Sequence, residues 1–287
     1  MNQRIGIIGG SGLYDIEGMD ILDELHLKTP WGEPSDSLTL ARIGQQEVVF
    51  LPRHGRGHHL PPHRINYRAN IYAMKLAGVS QIISISAVGS LREEIVPGHF
   101  VIVDQFVDRT HGRGSSFFEG PVVAHCSMAD PVCASLRQRL LAACRSAEID
   151  VHDGGSYLCM QGPQFSTRAE SELYRQWGMD VIGMTNMPEA KLAREAELCY
   201  ATVAMSTDYD CWHEEEEDVS VEGLLETMHG NGIKARAMLK ALFAGRDALH
   251  ACDCGCRQVL DTSLIGDLSI HDDAAIRPIH ALVERLL

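Results

Sequence analysis

Five short apolar runs, Ile5 to Ile8, Val48 to Leu51, Ile82 to Ala87, Phe100 to Val103 and Cys199 to Met205, recur along the chain and are rich in β-branched residues. Runs of this length suit strands buried on both faces, and stretches of helical periodicity separate them. That alternation restricts the chain to an α/β fold, a central sheet flanked by helices. Helices are predicted over Asn66–Leu76, stopped by Gly78, and over Pro131–Ser146. Another starts at Ser220, whose hydroxyl suits an N-cap, with Val221, Leu224, Leu225 and Met228 on one face. There is no internal repeat. The simplest organisation is one domain over residues 1–245, with 246–287 as a looser C-terminal segment, ending in a helical pattern over Ile276–Leu287 and docked on the same domain.

Composition excludes several classes. With 45% hydrophobic and 22% charged residues the chain is an ordinary globular protein, not a disordered or fibrous one. A net charge of −14 argues against a nucleic-acid partner, which needs a broad basic surface. An anionic ligand must therefore be met by a few local groups. No apolar run approaches the length of a membrane span, and the N-terminus enters Ile5 without a signal-like pattern, so a cytoplasmic location is expected. The nine cysteines are too irregularly spaced for a secreted disulfide framework.

Chemistry concentrates where the apolar runs end. Gly9-Gly10-Ser11-Gly12 follows the first run; its backbone N–H groups and hydroxyl suit an anion, although a plain tight turn would use the same glycines. Asp15 stands where a dinucleotide motif needs its third glycine. Arg53-His54-Gly55 ends the second run with a fork-shaped cation and an imidazole, and Ser86-Ala87 ends the third. Three strand ends with anion-binding groups are harder to dismiss than any one of them. Phe165, in Gly162-Pro163-Gln164-Phe165-Ser166, suits stacking on a flat ring or a place in the core. Asp208 and Asp210 close the last run as solvated loop charges, metal ligands or a proton-sharing pair.

These segments, with Asn66-Tyr67-Arg68-Ala69-Asn70, Gly89-Ser90-Leu91-Arg92, Gly183-Met184-Thr185 and Met187-Pro188-Glu189, resemble in order and spacing the trimeric purine nucleoside phosphorylase and methylthioadenosine phosphorylase family, over roughly residues 3 to 245. The resemblance implies a single α/β domain around a mixed, partly closed sheet, assembled as a homotrimer or a dimer of trimers. It implies phosphate groups at Ser11, Arg53, His54, Ser86, Ala87 and Thr185, and base and ribose contacts at Phe165, Ser166, Met184, Asp208 and Asp210. Asp208, Asp210 and His54 would be catalytic, and Val221, Leu224 and Leu225, with His125 from a neighbouring subunit, would enclose an apolar 5' group. No metal or organic cofactor is implied; inorganic phosphate is a co-substrate.

Asp208 stands where the 6-oxopurine enzymes of the family carry Asn. A carboxyl that accepts from N6 and gives a proton toward N7 matches a 6-aminopurine, so the resemblance favours the adenine-specific branch, which phosphorolyses methylthioadenosine. The alternatives are a purine nucleoside or methylthioinosine phosphorylase and, from another class, a non-catalytic nucleotide-binding module. The tail Cys252-Asp253-Cys254-Gly255-Cys256 admits an inert reduced loop, a redox pair, or zinc ligation that lacks a fourth ligand; the inert loop is the default. The acidic run Glu214 to Asp218 reads as a solvated loop near the site mouth.

Overall fold

A computed structural model describes residues 3–10, 13, 16–213, 221–244 and 254–287, with the backbone alone for 221–224. Among the described residues eleven strands form one mixed sheet. Its main path runs through β2 (Met19–Leu25), β3 (Leu38–Ile43), β4 (Gln46–Pro52), β1 (Arg4–Gly9) and β5 (Val79–Ser90). It continues through β11 (Val181–Gly183) and β10 (Ser156–Met160) to β7 (Gln105–Arg109). A branch leaves β5 through β12 (Cys199–Asp208) to β6 (Phe100–Ile102) and β9 (Val151–Asp153). A small separate ribbon pairs β8 (Val123–Ala124) with β13 (Leu264–Ile265).

The sheet divides at β5. One edge of this strand carries β12 in parallel from Gln81 to Gly89. The other edge pairs with β1 as far as Ser84 and with β11 only from Gly89. Between these partners Ile85 to Val88 form an opening at the carboxyl ends of β1 and β4, the position at which α/β sheets hold ligands.

The long apolar runs are explained by burial on both faces. Along β1 and β4, Ile8, Val49 and Leu51 point into one core cluster, while Ile5, Ile7, Val48 and Phe50 point into another. The first cluster is covered by α1 (Tyr67–Leu76) and α4 (Asn186–Glu195), the second by α2 (Ala134–Ser146) and α5 (Val221–Phe243). Asn66 caps α1 by accepting from the Ala69 N–H, and Gly78 ends it with φ of 76°.

Two predicted helices differ. The one read from Pro131 starts at Ala134, because the Cys133 sulfur turns to cap it by accepting from the Leu136 N–H. The tail is not one helix over 276–287 but short pieces, α6 (Asp273–Ile276) and α7 (His280–Val283) separated and followed by single 3-10 turns. Pro278 lacks the N–H that a continuous helix would need. Leu260, Ile276, Ile279, Leu282 and Val283 from this tail bury in the same cluster as Tyr72 and Met74 of α1.

Candidate active site

A cavity of about 320 Å³ fills the opening beside β5. Ser86, Ala87, Val88 and Gly89 of β5 form its floor, Gly10, Arg53 and His54 one flank, and Met184, Thr185, Asp208 and Asp210 the other. Ser11 lies outside the described residues. Sequence positions 43 to 200 residues from Gly10 thus meet because each lies at or just beyond the end of a strand of the same sheet.

Arg53 is not the freely offered cation that the sequence suggests. It is buried, and its guanidinium forks onto Glu189, Nε to Oε2 at 2.8 Å and Nη2 to Oε1 at 3.1 Å. Nη2 also reaches Ser84 Oγ and the Ile8 carbonyl, and Nη1 the Ile85 carbonyl. Burial disfavours its charge, but Glu189 outweighs burial and keeps it protonated. Of its five N–H groups, one on Nη1 has no partner among the described residues and remains for a ligand. Glu189 also accepts from Ser84 Oγ at 2.7 Å and from the Tyr200 hydroxyl at 2.9 Å. Sequence reading gave Glu189, Ser84 and Tyr200 no role; they form the frame that aims Arg53.

Beside Arg53, His54 Nδ1–H donates to the Leu60 carbonyl at 2.8 Å, which leaves Nε2 as an acceptor. Burial, with the Arg53 charge adding to it, lowers the His54 pKa to about 4. The ring is therefore neutral near pH 7, and Nε2 accepts a hydrogen bond from a ligand O–H. Opposite lie hydroxyls in a chain, Thr185 Oγ1 to Ser86 Oγ at 3.2 Å and Ser86 Oγ to the Tyr157 hydroxyl at 3.3 Å.

Gly183 is set by this chain, since a Cβ there would stand 2.0 Å from the Tyr157 hydroxyl. Gly183→Ala is expected to displace Tyr157 from Ser86 and to lower stability by about 1–3 kcal/mol through overpacking. Thermal melts check this, and an unchanged Tm with unchanged activity contradicts it.

At the far wall, Asp208 ends β12 with both oxygens engaged, Oδ2 by the Thr207 hydroxyl at 2.6 Å and Oδ1 by the Asp210 N–H at 2.8 Å. Gly89 makes room for it, as a Cβ there would lie 2.9 Å from Asp208 Oδ1. Burial raises the Asp208 pKa against those two hydrogen bonds. Asp210 is raised too, first by burial and further by the Asp208 charge, while the Ser171 and Ser166 hydroxyls nearby oppose the rise. Asp210 sits at φ of 53°, a rare conformation for a non-glycine residue, and its buried Oδ2 has no hydrogen-bond partner among the described residues. Trp212 anchors the turn through its indole N–H to the Ser90 carbonyl at 2.8 Å, under the Arg175 guanidinium.

Phe165 borders the cavity with 52% of its surface exposed, so it is not a core residue. Thr167 and Glu170 cap α3 (Arg168–Gln176) reciprocally and fix the turn that carries it. Ser166 does not border the cavity; its hydroxyl meets Met160 Sδ at 3.7 Å. From α5, Met228 and Gly232 line the cavity, whereas Leu225, one turn earlier, is 58% exposed. The side chains of Val221 and Leu224 and the run Glu214 to Asp218 lie outside the described residues. His125 is exposed and outside the wall of its own chain's cavity.

The two ends of this cavity call for different partners, a small anion beside Arg53 and a flat, hydrogen-bonding ring between Phe165 and the carboxyls. That pairing defines a class, the enzymes that divide a nucleoside with an anion. The sequence profile of the phosphorylase superfamily matches residues 4–244, and the chain belongs to that superfamily. It is 55% identical to the S-methyl-5'-thioadenosine phosphorylase of Geobacter sulfurreducens, over 88% of this chain and 89% of that one. Among solved structures it is similar to a methylthioadenosine phosphorylase from an antarctic soil metagenomic library, with TM-score 0.93, 44% identity, and 98% and 99% of the two chains covered. It is also similar to the methylthioadenosine phosphorylase of Schistosoma mansoni in complex with adenine, with TM-score 0.80, 40% identity, and 84% and 91% covered.

Proposed function

We propose that the chain phosphorolyses S-methyl-5'-thioadenosine to adenine and 5-methylthioribose 1-phosphate. The observation that carries this is the carboxyl pair Asp208 and Asp210, buried, raised in pKa and bordering the cavity whose other end holds Arg53. Phosphate is held by the remaining Arg53 N–H, the Ser86 and Thr185 hydroxyls and His54 Nε2, which accepts a hydrogen bond from a phosphate O–H. Ser11 and the Gly10 turn complete that set. The phosphate oxygen attacks C1' as the glycosidic bond breaks, and Asp208 delivers its proton to N7 so that adenine leaves neutral. Between these two ends the lining is apolar, with Ala87, Val88 and Met184, and positioning and charge complementarity are the main sources of rate. The reaction needs no organic cofactor and no metal at this site.

Oligomerisation is part of the same reading. His125 stands away from its own cavity, and the chain is proposed to act as a homotrimer or dimer of trimers in which a neighbour's His125 helps to close the 5' pocket. No helix among the described residues is long and apolar enough to cross a membrane, and a cytoplasmic location is proposed.

Initial rates with methylthioadenosine, adenosine, methylthioinosine and inosine, each with and without phosphate, test the assignment. An apolar pocket gains about 0.8 kcal/mol per buried methylene but cannot strongly reject a hydroxyl. Methylthioadenosine is therefore expected to exceed adenosine by roughly ten- to a few hundredfold in kcat/KM. Met228→Asp, on the face of α5 that lines the cavity, is expected to erase that preference. Faster turnover of inosine than of either adenine nucleoside would sink the assignment.

A further inference from the structure

Four cysteines from three distant segments converge away from the cavity. The sulfurs of Cys133, Cys199, Cys254 and Cys256 all lie within 4.8 Å of one another. Cys133 Sγ is 3.5 Å from Cys254 Sγ, and Cys199 Sγ is 3.6 Å from the same atom. Thiolates bound at about 2.3 Å to a tetrahedral zinc ion stand about 3.8 Å apart, so the cluster is already close to that geometry. The sequence reading counted only the tail thiols and so lacked ligands; the fold supplies Cys133 and Cys199.

We propose that these four thiols hold one structural zinc ion. Each arrives from a fixed piece of backbone. Cys133 caps α2, Cys199 opens β12, and the Cys133 N–H donates to the Tyr200 carbonyl at 2.8 Å, which locks these two segments together. Gly255, at φ of 75°, turns the tail so that Cys254 and Cys256 face the same point. Two N–H groups also point at the sulfurs. The Leu136 N–H donates to Cys133 Sγ at 3.4 Å, and Arg194 Nη1 donates to Cys256 Sγ at 3.5 Å, groups that offset the charge of a tetrathiolate centre.

On binding, four S–H bonds break, four Zn–S bonds form, four protons pass to solvent and no electron moves. Pairing the same thiols as disulfides would require an oxidant. All four positions are filled by protein, so the ion has no open site for substrate. Nine residue steps along β12, about 30 Å at ~3.3 Å per residue, separate Cys199 from Asp208. The ion's role is to fasten the tail, whose Leu260 and Leu282 bury in the core, to the rest of the molecule.

The full chain, purified under reducing, oxygen-free conditions after growth with zinc, is expected to carry about one zinc per chain by elemental analysis. A mercurial that blocks thiols is expected to release it to a metallochromic dye. Cys199→Ser or Cys254→Ser should lose most of the metal and several degrees of Tm while the folded fraction keeps kcat within about twofold, and Cys126→Ser should keep the metal. Cobalt exchange into the unsubstituted chain needs no variant and should give thiolate charge-transfer and tetrahedral d–d bands. Reduced protein that carries no metal, shows no Tm response to added zinc and gives no cobalt spectrum overturns the site. So does recovery of these cysteines as disulfides from the oxygen-free preparation.

Discussion

Asp208→Asn is expected to cut kcat on methylthioadenosine by roughly 10²-fold or more, the size of a general-acid contribution. The amide still hydrogen-bonds N6 and N7 of the base, so KM should move little, but it holds no proton to transfer when the glycosidic bond breaks. At ~1.36 kcal/mol per decade this is about 2.7 kcal/mol of lost transition-state stabilisation. Stability should move the other way. Burial raises the pKa of both Asp208 and Asp210 in the folded chain. The folded state therefore binds more protons than the unfolded chain from about pH 4 upward, and stability is lost as pH rises through the folded pKa values. An Asn in place of Asp208 removes its share of that loss. Steady-state kinetics with a parallel melt at pH 7 would show a slow but equally or more stable enzyme. Wild-type kcat in this variant would remove Asp208 from the proton path.

Removing Glu189 is expected to be the most damaging single change to the fold near the site. The carboxylate is fully buried and neutralises an arginine that is itself buried. Breaking one partner of such a pair costs about 3–5 kcal/mol, because the other charge is left uncompensated. Glu189→Leu and Arg53→Met should each unfold at markedly lower urea, and each should lose phosphate-dependent turnover. The double substitution separates the two roles: it should recover much of the stability, since no buried charge is left alone, and none of the activity, since the anion has lost its cation. A double variant with wild-type phosphate KM would show that Arg53 only holds the fold.

Legibility followed the range of the interactions. Strands β1, β4, β5 and β12 were readable because a strand buried on both faces is a local run of apolar residues, and Arg53, His54, Ser86 and Asp208, which line the cavity, drew notice because they stand at the ends of those runs. The Arg53 and Glu189 pair spans 136 positions, and nothing local in either segment announces the other. The same holds for Cys133 and Cys199, single core cysteines until the tail folds onto them. Ser166, placed at the base by resemblance, has its hydroxyl near both Met160 Sδ and the Asp210 carboxyl. The tail was misread as one helix because its apolar spacing continues through Pro278, whose missing N–H decides the matter.

The central claim is phosphorolysis of methylthioadenosine, and the most direct test follows the oxygen atoms. Enzyme, methylthioadenosine and phosphate carrying four ¹⁸O atoms should yield adenine and a methylthioribose 1-phosphate that retains all four labels by mass spectrometry, with no adenine released when phosphate is omitted. Adenine released at the same rate without phosphate, together with unphosphorylated methylthioribose, would contradict it.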